Sequence, residues 1–102
     1  MKVKLSHIPY LGREVAVMVR IRVKLFAVFA DAVGAKELVI SLSKEKVKVK
    51  DILEYIRSKY PKFRETEKVV PVLMLVNGVN VLPDNEVKEG DEVSLLPPAS
   101  GG

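Results

Sequence analysis

The hydrophobic pattern is clearest between Arg20 and Leu25, where Ile21, Val23 and Leu25 alternate with Arg20, Arg22 and Lys24. A period of two predicts a half-buried strand that begins at Met18. The next residue in the polar phase is Phe26, an aromatic ring where the alternation asks for charge. Leaving such a ring in water forgoes roughly 1.5–3 kcal/mol of burial, so either the chain turns beneath it or a partner covers it.

Residues 27–33 predict one or two helical turns closed by Gly34. Alternation resumes over residues 36–42 with Leu38, Ile40 and Leu42 on one face, which predicts a second strand returning tightly beside the first. Between residues 47 and 60 the period lengthens. Val49, Ile52, Leu53, Ile56 and Tyr60 then share one helical stripe, with Asp51 in the first turn and Pro61 as the stop. That stripe is core and contains no cofactor motif. Residues 62–68 are expected to be a charged connection and residues 71–76 a buried strand. Asn77-Gly78 predicts a tight turn into a short returning strand over residues 79–82. Pro83-Asp84-Asn85 and Glu89-Gly90-Asp91 predict two more turns before a last strand.

In that last strand Val93 and Leu95 alternate with Ser94, and Pro97 and Pro98 then lack the amide hydrogens needed to continue a sheet ladder. Residues 18–96 are therefore expected to form the folded body, and Pro97-Pro98-Ala99-Ser100-Gly101-Gly102 a flexible tail. Fully extended, such a tail spans roughly 20 Å. Gly101 and Gly102 have no side chains, so the carboxylate of Gly102 can thread a slot too narrow for other residues. A given dipeptide is Gly-Gly about once in 200 by chance. Directly after a strand and a Pro-Pro stop, the pair reads as a carboxylate meant for chemistry in another protein's active site.

Residues 1–17 fit this scheme poorly, because Leu5, Ile8, Tyr10, Leu11 and Val15 follow no sustained period and Pro9 and Gly12 interrupt them. They are read as an N-terminal extension: an arm, a short added hairpin, or sequence upstream of a start at Met18. No signal-peptide pattern is visible in them.

Composition narrows the chemistry. A chain of 102 residues is one domain with a core of its own. It has no cysteine, which excludes a disulfide scaffold, a thiolate metal site and thiol catalysis by the chain itself. The single histidine, His7, supplies no material for a metal cluster or catalytic dyad, and no metal site is expected. The net charge of +4 is spread among acidic residues, so nucleic-acid binding is not expected. The longest apolar run is too short to cross a bilayer, so a soluble protein without a membrane partner is expected, and the lack of cysteine fits a cytoplasmic location. Abundant Lys and Glu, with Gln, Cys and Trp absent, resemble a thermophile's usage.

Two strands, one long helix and further strands resemble the ubiquitin-like β-grasp fold, an α+β arrangement in which a mixed sheet of about five strands curls around one main helix. The sequence resembles one branch in particular. Val23-Lys24-Leu25-Phe26-Ala27 with Gly34, then Val76-Asn77, then Glu89-Gly90-Asp91-Glu92-Val93 through Pro97-Pro98 to Gly101-Gly102, is similar to the small subunit of molybdopterin synthase. That resemblance implies parallel first and last strands and a sulfur carrier with no permanently bound cofactor. A ubiquitin-activating-type adenylating enzyme would use ATP to convert the Gly102 carboxylate to an acyl adenylate, and sulfur would then replace AMP to give a thiocarboxylate. The large synthase subunit would receive the tail, supply the catalytic residues and build the dithiolene of molybdopterin. Phe26 and Leu96 match apolar positions that the family uses to dock partners, whereas Asn80 stands where relatives often have an apolar residue. The thiamine-pathway sulfur carrier and a ubiquitin-like modifier joined through Gly102 to lysines remain alternatives.

Overall fold

The computed structural model describes residues 18–99. The alternating stretch forms strand β1 (Val19–Leu25). It buries Ile21, Val23 and Leu25 while Arg20, Arg22, Lys24 and Phe26 face outward. Helix α1 (Val28–Val33) follows and ends at Gly34, whose φ of 84° is the left-handed cap conformation that glycine adopts without strain. Strand β2 (Glu37–Leu42) returns antiparallel to β1, pairing Ile21 with Ile40 and Val23 with Leu38.

The main helix starts two residues later than its periodicity predicts. Val47 and Lys48 form the short strand β3 (Val47–Lys48), and α2 (Val49–Lys59) begins after it. The first turn of α2 is held by Asp51, whose carboxylate accepts from the Lys48 amide at 2.8 Å. Val49, Ile52, Leu53 and Ile56 are buried, as the stripe predicts, and Tyr60 is half-buried at its end.

Pro61 does stop α2, but residues 62–68 are not the expected connection. They belong largely to a third helix, α3 (Pro61–Glu67). Proline is tolerated at a first helical position, where no intrahelical amide bond is lost, so one residue ends α2 and opens α3. Among its charges sits Phe63, fully buried with its ring centroid 5.4 Å from that of Phe29 in α1. Arg57 in α2 donates through Nε to both carboxylate oxygens of Glu67, tying the two helices together on the outside.

Strand β4 (Leu73–Val76) leads through Asn77 and Gly78, both at positive φ, into β5 (Val79–Asn80). Positive φ at both central residues is the hairpin turn that Asn-Gly predicts. Between the two expected turns lies a strand that the sequence pattern does not predict, β6 (Glu86–Val87), which pairs with β3 and buries Val87. The last strand, β7 (Glu92–Leu96), lies parallel to β1 and antiparallel to β4. The five-stranded sheet therefore runs β2-β1-β7-β4-β5, with the latest strand in its middle. Its inner face packs Val93 and Leu95 against the helices in one core. This is the mixed-sheet β-grasp architecture.

Candidate functional site

The turn after β1 fixes the aromatic ring that breaks the alternation. The Phe26 carbonyl accepts from the Phe29 amide at 3.1 Å, and Ala27 between them has φ 52° and ψ −127°. This is the first central position of a type II′ turn, where glycine is preferred and an alanine is strained by on the order of 1–3 kcal/mol. The chain thus turns beneath Phe26, yet the ring stays 44% exposed.

The parallel pairing continues past Leu25 and Leu95, because the Phe26 amide donates to the Leu95 carbonyl at 3.1 Å. Phe26 therefore stands beside Leu96. On the other side of Leu96 its register partner in β4 is Leu73, and Leu75 pairs with Ser94 one step along the same outer face. Phe26, Leu96, Leu73 and Leu75 form one apolar patch across β1, β7 and β4. Leu73 is 37% exposed, while Leu75 and Leu96 are half-buried. Asn80 pairs with Leu75 and is exposed at the patch's margin.

The expected pair of apolar positions is thus brought together, and two more residues join them. Leu73 and Leu75 were hidden in a run expected to be a buried strand, but residues 73–76 are only half-buried or exposed. The signal was present: a strand that shows no polar alternation is apolar on both faces, and here only Met74 and Val76 pack on the core. Ser94 departs in the opposite sense, being 8% exposed although it faces outward, because Lys24 and Leu75 flank it on both neighbouring strands.

The end of the sheet away from this patch is fastened by polar contacts. The Asn77 side chain donates to Asp91 and accepts from the Glu92 amide, each at 3.0 Å, and Asp91 also accepts from the Lys88 amide at 2.8 Å. Glu92 lies 3.6 Å from Arg22 and 3.4 Å from Lys24, which compensates much of the basic row on β1. These exposed pairs are each worth about 0–1 kcal/mol, so they orient β7 more than they stabilise it.

Beyond Leu96 the chain leaves the sheet. Pro97 is half-buried, and Pro98 and Ala99 are exposed with no regular structure. Ser100, Gly101 and Gly102 lie outside the described residues, as do residues 1–17 with His7. Among the described residues no group of acidic or histidine side chains is arranged to hold a metal ion, and no helix is long and apolar enough to cross a membrane.

Residues 23–102 match the ThiS family. Among solved structures, the chain is 33% identical to a Pyrococcus furiosus protein solved as molybdopterin converting factor subunit 1, with a TM-score of 0.68 over 79% of this chain and 99% of that one. It is 31% identical to small archaeal modifier protein 1 of Methanosarcina acetivorans, with a TM-score of 0.66 over 84% and 99%. A chain of the complex between subunits 1 and 2 of the molybdopterin-converting factor from Helicobacter pylori shares the fold at 22% identity, with a TM-score of 0.58 over 82% and 100%. No curated protein matches the sequence.

Proposed function

Because the chain belongs to the ThiS family of ubiquitin-like sulfur carriers, we propose that it carries sulfur on the carboxyl group of Gly102 for the assembly of molybdopterin. The observation that carries this reading is the apolar patch at the root of the tail. Leu96 is both the last residue of β7 and a member of the patch, so a partner that covers the patch also fixes the point from which the tail departs. A fully extended chain from Pro97 to Gly102 spans roughly 20 Å, enough to bring the terminus into a partner's active site.

A free carboxylate is a poor electrophile. An adenylating enzyme of the ubiquitin-activating type would join AMP to the Gly102 carboxylate and release pyrophosphate from ATP. Attack on the acyl adenylate by sulfur at the sulfide level would form the carbon–sulfur bond, expel AMP and leave a thiocarboxylate, a good sulfur nucleophile at neutral pH. The chain would carry the reactive group and its partners the catalytic residues; ATP would be bound by the activating enzyme. A large synthase subunit would then receive the loaded tail. The 33% identity to a molybdopterin converting factor subunit 1 favours this branch over the thiamine-pathway carrier.

Intact mass of the protein purified from its own host tests the reading. A gain equal to the difference between sulfur and oxygen, located on the C-terminal peptide, is the expected result. A second reading, a modifier joined through Gly102 to lysines of other proteins, is favoured by the 31% identity to small archaeal modifier protein 1. Lysine-linked adducts with no thiocarboxylate would select it and reject the first.

A further inference from the structure

The two edges of the sheet are unlike. Strand β5 is two residues long and runs on towards Pro83, a blunted edge of the kind that resists pairing. Strand β2 is six residues long, contains no proline, and pairs with β1 without a bulge. Its hydrogen-bond phase is set by the Leu25 amide, which donates to the Lys36 carbonyl at 2.9 Å. In an antiparallel ladder this phase turns Leu38, Ile40 and Leu42 towards β1 and points the amides and carbonyls of Glu37, Val39 and Ser41 away from the sheet. Those groups make no backbone hydrogen bond to another described residue, and the Val39 side chain beside them is 63% exposed.

We propose that β2 pairs with β2 of a second copy, antiparallel about a two-fold axis at Val39, joining the two sheets into one. The pattern of the strand is self-complementary about that residue. Val39 meets Val39 of the other copy and Glu37 meets Ser41, so every outward group on one strand finds an outward group on the other. On the inner face Leu38 meets Ile40 and Lys36 meets Leu42, and no like charges oppose one another. Of the two neighbouring symmetric registers, the one centred on Ile40 sets Lys36 against Lys44 and is disfavoured by that repulsion, and the one centred on Leu38 sets Ser41 against Ala35, whose amide already donates to the Ala30 carbonyl. Strand β1 separates this edge from Leu96, Leu73 and Leu75, so the association leaves the part of the patch on β7 and β4 open.

Sedimentation of the full chain over a concentration series up to the millimolar range tests the proposal. Wild type should pass from monomer to dimer. Val39→Lys and Val39→Glu should each remain monomeric at concentrations where wild type is dimeric. An equimolar mixture of the two should dimerise again, because residue 39 faces its own counterpart. Ser41→Pro removes one outward amide without touching the ladder to β1 and should also dissociate the dimer; with unfolding followed for every variant, it supports the test if either charged substitution perturbs the fold. A wild type that stays monomeric throughout overturns the proposal, including one that binds an extended peptide along β2. So does a dimer that survives Val39→Lys, or a charge-swapped mixture that fails to associate.

Discussion

The Phe26 amide and the Leu95 carbonyl are joined by a 3.1 Å hydrogen bond that carries the parallel pairing of β1 and β7 one step past its last core pair. The inward Leu25 and Leu95 end the core row there, and the outward Phe26 and Leu96 begin the apolar patch.

Phe26 and Leu25 should therefore respond to truncation in opposite ways. Phe26→Ala removes a 44% exposed ring and should leave the melting temperature nearly unchanged, while weakening binding to the proposed partner, a large synthase subunit, by about 1–3 kcal/mol, the scale of an interface anchor. Leu25 is 3% exposed, and Leu25→Ala should cost about 2–5 kcal/mol of stability as a cavity. Thermal unfolding and partner titration of both variants check the phase of β1.

Leu73 extends the patch onto β4, directly opposite Leu96. Leu73→Asp should place an unpaired charge in the docked interface and reduce affinity at least as much as Phe26→Ala, with unfolding close to wild type. Normal affinity in this variant would confine docking to β1 and β7.

Removal of Gly102 should abolish thiocarboxylate formation in a reconstituted activation assay without shifting the unfolding transition, since the last strand ends at Leu96. Sulfur transfer by the truncated protein would remove the basis for the proposed function. Gly102→Phe should fail in the same assay, because a ring would obstruct the path to the adenylation site.

Ala27 holds a backbone conformation suited to glycine. Ala27→Gly should raise stability by about 1 kcal/mol, the relief of strain exceeding the added freedom of the unfolded chain. Chemical denaturation measures the gain. A loss of stability would mean that the methyl group contributes packing larger than the strain it imposes.

Burial pushes the Asp51 carboxyl up, but its bond from the Lys48 amide, together with the bond and charge of Lys44, outweighs this and holds it below its ordinary value of 3.8. A carboxyl lowered on folding binds fewer protons in the folded state, so its contribution is present above the unfolded value and is lost as pH falls through the folded one. Asp51→Asn should cost about 1 kcal/mol near neutral pH, as loss of a helix-start contact does. The gap between variant and wild type should close below pH 3.8, and unfolding midpoints across that range read it directly.

Much of this architecture was legible because burial on one face leaves a period. The strict alternation around Ile21, Val23 and Leu25 and the helical stripe from Val49 to Ile56 each face a single core. Where that condition fails, so does the reading. Helix α3 touches the core chiefly through Phe63, and one apolar residue among charges sets no period. Strand β4 is apolar on both faces, which resembles deep burial when the sequence alone is read. Strands β3 and β6 are each two residues long, too short for any alternation to register. Phe26 stood out as a violation of its strand's pattern, whereas Leu73 conformed to its surroundings and was missed.

The central place of β7 also orders the making of the fold. Without it the large sheet falls into two separate hairpins, β1 with β2 and β4 with β5, joined only through the helices. Every contact that unites them spans a long stretch of sequence, so the sheet cannot close during synthesis until the chain through Leu96 has left the ribosome. A chain ending before β7 would lack every pairing that joins the two hairpins. In this topology the strand that closes the sheet is also the one from which the tail departs.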